Sequence, residues 1–314
     1  MTAMCAYVAP QVVRRREGHF GAWRSVAALP AMVGSLLTLL VLYSWLGAWE
    51  GLVLLGWLAS GAAVFTGPGE LVAVRVGCGL RRPSAQQAAV LEPLWAQALA
   101  YAHLRRDQVD LYVQRAKDPN AFAAGGRSVA VTTGVVAEIQ ARRLGVAHLV
   151  AILAHEIGHV ETRATKFALV TMWLSAPWRV LSRVVIVLAV SFAHRQPRRL
   201  LALVVVAGVV VAIVQAVQQQ RWTVAVVLTG VAAAAVICPL ADAAVSRRSE
   251  YAADRYAARL GLGPHLALAL EILNGGRGRR ARWSTRIVSR HPDVASRIDR
   301  LTAAAAEPAP GRPR

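Results

Sequence analysis

Two histidines four residues apart, with a glutamate directly after the first, stand in the run Ala154-His155-Glu156-Ile157-Gly158-His159-Val160. Positions i and i+4 project from one face of a helix, so His155 and His159 can turn imidazole nitrogens toward one cation. Zinc takes such nitrogens at about 2.0–2.1 Å. A carboxylate beside the first ligand can take a proton from water that the metal acidifies, then return one to a leaving amine. This pattern points to metal-assisted hydrolysis with one Zn2+ per chain and Glu156 as general base. A catalytic zinc also needs a third protein ligand and an open position for water. His148 lies two turns before His155, about 10 Å along the axis and too far to share the ion, and Glu161 points off the face. The best remaining candidate is Glu250, in the helix-compatible run Ser249-Glu250-Tyr251-Ala252-Ala253-Asp254-Arg255-Tyr256-Ala257. Asp254 falls one turn later on the same face, where it can accept the outer N–H of a ligand histidine. Taken alone, these two carboxylates also read as a solvated helix face, and only the demand for a third ligand favours Glu250.

The elements that must position these groups are separated by long apolar blocks. Leu29 to Leu46 and Leu52 to Phe65 flank a short Gly47-Ala48-Trp49-Glu50-Gly51 connection, and each approaches the roughly 20 residues that cross a bilayer. They read as an uncleaved transmembrane hairpin, with Trp45, Trp49 and Trp57 near the water interface. Pro83 to Leu104 has helical spacing. Val109 to Val113 and Ser128 to Thr133 read as strands separated by breaks at Asp118-Pro119-Asn120 and Gly125-Gly126. The helix that carries His155 is expected to run from Val146 toward Phe167.

Three further apolar blocks follow, and if Glu250 is to meet His155 the chain must cross the membrane an even number of times between them. The best pair is Leu200 to Val217 with Trp222 to Leu240; Ala168 to Ala193, which contains Pro177, Arg179 and Arg183, is left to lie in the interface or pack on the bundle. The expected organisation is a cytoplasmic N-terminal segment (1–28), a transmembrane hairpin (29–66) and a first catalytic part (67–167). A membrane-associated segment with a second hairpin (168–241), a second catalytic part (242–302) and a disordered tail (303–314) follow. The fold class is a mainly α membrane protein, with about four transmembrane helices and an α+β catalytic domain holding a small antiparallel sheet.

The formal net charge is +19, from 36 Lys and Arg against 17 Asp and Glu. In a soluble chain that excess would raise the question of nucleic acid. Here most arginines flank apolar blocks, which is the pattern of positive-inside topology and contact with anionic lipid, so no nucleic-acid partner is expected. Arg14, Arg15 and Arg16 in the cytoplasm place the catalytic parts there too, on a multi-pass protein of the cytoplasmic membrane. Cys5, Cys78 and Cys238 form neither a disulfide framework nor a thiolate metal site.

Together, His155-Glu156-Ile157-Gly158-His159 and the downstream Glu250-Tyr251-Ala252-Ala253-Asp254-Arg255-Tyr256-Ala257 resemble the M48 metallopeptidases. The bacterial HtpX-like branch is the nearer in length; the CAAX prenyl proteases form another. Asn120 to Gly126, Val131 to Gly134, and His291-Pro292-Asp293 with Arg297-Ile298 resemble further family segments. The resemblance implies a gluzincin-like catalytic domain, Glu250 as third ligand, and cleavage of membrane-embedded or unfolded polypeptides. It also implies an edge strand at Ala121, Phe122 and Ala123 that pairs with extended substrate, Asn120 holding a substrate carbonyl, and His291 stabilising the oxyanion. The alternatives are a catalytically silent zinc-containing scaffold or holdase, against which an intact Glu156 argues, and a CAAX-type prenyl peptidase, which the short chain does not favour.

Overall fold

The computed structural model describes residues 20–43, 47, 49–64, 66–163, 165–192, 198–273 and 292–306. The described residues are mostly helical, with one four-stranded sheet, and divide into two compact units. Of these residues the first unit takes 20–24, 63–169 and those from 243 on; the second takes 25–62 and 170–242.

Helices α1 (Phe20–Tyr43) and α2 (Glu50–Ala63) come first. The next helix, α3 (Gly67–Gly77), starts where Thr66 accepts the Gly69 N–H through its side chain and Pro68 occupies the first turn, a position that needs no amide donor. After β1 (Leu80–Arg81), Ser84 and Gln87 form a capping box for α4 (Ala85–Ala102). Its buried residues Leu91, Leu94, Trp95, Ala98, Leu99 and Ala102 repeat at helical spacing and enter the main core. Strands β2 (Asp110–Gln114), β3 (Ala121–Ala124) and β4 (Ser128–Thr132) then complete the sheet.

The sheet is mixed, not the antiparallel one expected from the sequence. Its order is β1-β2-β4-β3, and β2 runs parallel to β4. The tight turn at Gly125, whose φ is +67°, forces β3 and β4 to pair antiparallel. Strand β4 is buried at every position, so it takes the interior slot between β2 and β3 rather than an edge. Reading the strands as successive neighbours would have put β2 beside β3 and left β4 outside.

Thr132 caps α5 (Thr133–Gln140), and α6 (Val146–Glu161) follows. Every residue of α6 from Leu149 to Val160 is buried, because α4, the sheet and later helices cover it on all sides. It ends earlier than expected: Thr162 caps it and Arg163 turns left-handed at φ 54°. Then come α7 (Lys166–Leu174), α8 (Ala176–Phe192), α9 (Arg198–Gln218) and the 38-residue α10 (Trp222–Arg259). One continuous helix thus joins the apolar block after Trp222 to the run that carries Glu250. Helices α11 (Gly263–Leu273) and α12 (Val294–Ala306) pack against each other, and α11 packs on α6.

Within the second unit the helices meet through small residues. The Trp178 ring of α8 lies against Gly34 of α1, where a Cβ would overlap it, and the Trp178 N–H donates to Ser35 Oγ at 3.1 Å. Trp173 Nε1 of α7 donates to Ser60 Oγ at 3.0 Å beside Gly61 of α2. Among the described residues, one helix, Trp222–Arg259, is long and apolar enough to cross a membrane, and a second span arises if the broken pair Gly51–Ala63 and Gly67–Gly77 is counted as one. Shorter apolar helices cover Ser25–Leu40, Leu203–Gln218 and Gly263–Leu273.

Candidate metal centre

Helix α6 carries His155, Glu156 and His159; α10 carries Glu250 and Asp254. The two helices approach closely at Gly158, where a Cβ would stand 3.1 Å from Tyr256 Cβ and 3.2 Å from Ala253 Cα. That contact brings the Glu250–Asp254 face of α10 against the histidine face of α6.

The imidazole rings of His155 and His159 stand edge to face, with centroids 4.9 Å apart. His155 Nε2 lies 3.6 Å from Glu250 Oε2, and His159 Nε2 lies 3.5 Å from Glu250 Oε1. One ligand atom from each of the three residues falls within 4.8 Å of the others, and all three side chains are buried. Tetrahedral bonds of about 2.0–2.1 Å put ligand atoms about 3.3 Å apart. The two measured spacings are within a few tenths of an ångström of that, and a His/His/Glu donor set suits zinc.

The other face of His155 is also engaged, since its Nδ1 lies 3.0 Å from Asp254 Oδ1. An acceptor there keeps a proton on Nδ1 and turns Nε2, the nitrogen a metal ion would take, toward Glu250. The sequence reading assigned no role to Arg297 of α12, yet it is buried in the same cluster. Its Nε and Nη2 donate to Asp254 at 2.9 and 2.6 Å, and its Nη1 lies 3.1 Å from Glu250 Oε2. A guanidinium makes this double contact because its donors form a planar fork. Its segment was noted but its contact was hard to read, because it is 43 positions from Asp254 in sequence and no helical spacing links them.

These neighbours set the charges. Burial works against a charged His155, but hydrogen bonds to Asp254 and then Glu250 outweigh it and raise its pKa to about 9. Burial likewise opposes the Asp254 carboxylate, which hydrogen bonds from His155 and Arg297 hold below its ordinary range. Arg297, also buried, is kept firmly charged by Asp254, Glu250 and Glu156.

The profile of peptidase family M48 matches residues 85–305, well over half of the chain. The chain belongs to peptidase family M48. It is also 30% identical over 167 residues to a protein described as "Protease HtpX homolog" from Acidiphilium cryptum (strain JF-5). That match covers 52% of this chain and 48% of the relative, so it spans about half the relative's length.

The remaining expected site residues of this M48 chain are placed as follows. Glu156 is buried on α6 beside His155. Ala121, Phe122 and Ala123 lie in β3, an edge strand of the sheet, which packs on α6. Asn120 is exposed just before it, with its backbone N–H on Thr132 Oγ1 at 2.9 Å and its carbonyl accepting the Thr132 N–H at 2.9 Å. His291 lies outside the described residues.

The raised pKa of His155 yields one measurable consequence. Below pH 9 its ring carries two protons, and a metal ion at Nε2 must expel one of them. Zinc uptake by chelator-stripped protein at pH 7 is therefore expected to release a proton. Apparent affinity should rise about tenfold per pH unit up to about pH 9, since proton and metal compete for one lone pair. Calorimetry in buffers of different ionisation enthalpy reads this; a flat profile would place the proton elsewhere. By the same linkage, the extra stability that protonated His155 contributes to the metal-free protein is complete below its unfolded value of about 6.5 and disappears as pH rises through about 9.

Proposed function

We propose that this M48 chain is a membrane-bound, zinc-dependent endopeptidase that hydrolyses peptide bonds in membrane or misfolded proteins. The observation that carries this reading is the buried convergence of His155, His159 and Glu250, with Glu156 on the same helix and outside the ligand set. Zinc held there would supply a Lewis acid that brings water's pKa toward about 7. Glu156 then accepts the proton that water loses as it attacks the carbonyl and passes it to the departing amine. Asp254 keeps His155 in one tautomer, and Arg297 holds Asp254 and Glu250 in register. In the same reading His291 donates to the carbonyl oxygen.

Exposed apolar surface supports attachment to the bilayer. The most apolar stretch of α10 has a mean hydropathy of 2.4 and is 7% buried, and on α9 Leu203, Val204, Val205 and Val206 are all exposed. In this reading α1, α2, α9 and the first part of α10 span the membrane, and the catalytic part faces the cytoplasm. The relative described as a protease HtpX homolog supports the peptidase part of this reading. Purified protein is expected to hold one zinc and to cleave an unfolded polypeptide, with activity lost on chelation and regained on zinc addition. Cleavage that survives complete metal removal would refute it.

The substrate is read as pairing along β3. The Thr132 N–H donates to the carbonyl of Asn120 opposite it, which continues the β3–β4 register in its hydrogen-bonded phase, and in an antiparallel ladder such positions alternate with non-bonded ones. Phe122 and Ala124 therefore bond to β4, whereas the N–H and C=O groups of Ala121 and Ala123 point to the outer edge. That edge suits addition of an extended peptide strand. Ala123→Pro removes one outward donor and no bond to β4, a placement that edge strands tolerate. KM is expected to rise about tenfold, the equivalent of one good hydrogen bond, with kcat and zinc content retained. An unchanged KM in steady-state assays would show that substrate does not pair here.

A further inference from the structure

Glu70 is a buried carboxylate that the metal centre does not use. It sits in the first turn of α3, and its Oε1 accepts the Gly126 N–H at 2.6 Å. Gly126 is in the turn between β3 and β4. The preceding residue, Gly125, has φ +67°, and a Cβ there would overlap the Glu70 carboxylate. Both the backbone sign and the missing side chain at Gly125 thus serve this approach. From the other side, Thr165 Oγ1 donates to the Gly125 carbonyl at 2.5 Å. Thr165 stands four residues past the end of α6, the helix that carries both histidines.

The β3–β4 turn is therefore held by two side chains, one bonded to an amide and one to the adjacent carbonyl. Apart from this turn, β3 is held by its pairing with β4 and its packing on α6. It has a strand neighbour on one side only, and only Ala124 among its four residues is fully buried. We infer that Glu70 and Thr165 form a clamp that sets the position of the β3 edge against α6, making Glu70 a positioning residue for extended substrate. This rests on the reading of β3 as the substrate strand. A carboxylate-to-amide hydrogen bond in a buried setting is of the strong, charge-assisted kind, which makes it fit to fix a strand end.

The test compares KM and kcat for two quenched-fluorescent peptides that share one scissile bond, one long enough to pair along β3 and one too short. Glu70→Ala is expected to raise KM for the long peptide about tenfold, leave kcat within about twofold, and leave the short peptide unaffected. Glu70→Gln keeps an acceptor at the same place, so KM should return to within about threefold of the parent. Thr165→Val, close in shape, removes the other contact and should also raise KM for the long peptide. It provides the reading if Glu70→Ala fails to fold. If Ala123→Pro raises KM while Glu70→Ala and Thr165→Val do not, the clamp is wrong and the substrate strand stands. If Ala123→Pro has no effect, the substrate strand is wrong and the clamp loses its purpose with it.

Discussion

Glu156→Gln is expected to leave the protein folded with one zinc bound and to lower kcat by about 10²–10⁴-fold. Glutamine keeps the size and shape of the side chain, so the packing of a residue that is only 7% exposed is preserved. The ligand set of His155, His159 and Glu250 is untouched, so metal content should not change. What is lost is the carboxylate's ability to take a proton, and an amide offers no substitute near neutral pH. Metal analysis beside cleavage of an unfolded polypeptide separates the two effects. A variant that keeps full cleavage would sink the general-base assignment. A zinc-containing scaffold without activity predicts that this substitution changes no cellular phenotype.

Arg297→Ala should be the most damaging substitution for stability. Arg297 is the buried cation that two buried carboxylates, Asp254 and Glu250, share. Removing one partner of such a cluster leaves uncompensated charge in a poorly solvated place, at about 3–5 kcal/mol. Freed from Arg297, Asp254 would hold His155 less rigidly, and outer contacts of that kind are worth about 10–100-fold in metal affinity. Lysine should rescue little, because an ammonium cannot donate to Asp254 through two nitrogens and reach Glu250 with a third. Bound zinc compensates the charge of Glu250, so the loss should be larger in chelator-treated protein. Urea unfolding of parent and variant, with and without chelator, measures this. A loss below about 1 kcal/mol would mean that the cluster's desolvation cost already cancelled its attraction.

The local parts of the site were readable because their geometry is local. His155, Glu156 and His159 lie within five positions on one helix, and a period of 3.6 residues is enough to place them on a common face. The same holds for Glu250 and Asp254, whose i, i+4 spacing lets one side chain reach the cluster and the other stand behind it. Long apolar blocks were equally plain from composition; α9 follows one closely, whereas α10 starts with another at Trp222 and runs on past it to Arg259.

Contacts that depend on how elements meet were not readable in this way. Nothing in the run after Pro292 says that Arg297 will fork onto Asp254, because a surface arginine and a buried one have the same letter. The sequence reading expected a small antiparallel sheet and set no order for β2, β3 and β4. The buried character of all five residues of β4 decided instead that it sits between the other two. Glu70 gave no sign of its contact with Gly126, 56 residues away.

The sequence by itself determined the chemistry, namely two imidazoles and a base held by helical periodicity, with a carboxylate needed from elsewhere. Only the tertiary structure decided which groups surround them: Glu250 within 3.6 Å of both histidine nitrogens, Asp254 behind His155, and Arg297 between the acids. The reason is that ligand type and spacing are properties of one helix, whereas the charge balance of a buried site depends on which surfaces of separate helices pack together. Gly158 is where the two meet, a missing side chain that lets α10 approach α6 closely enough for the third ligand to arrive.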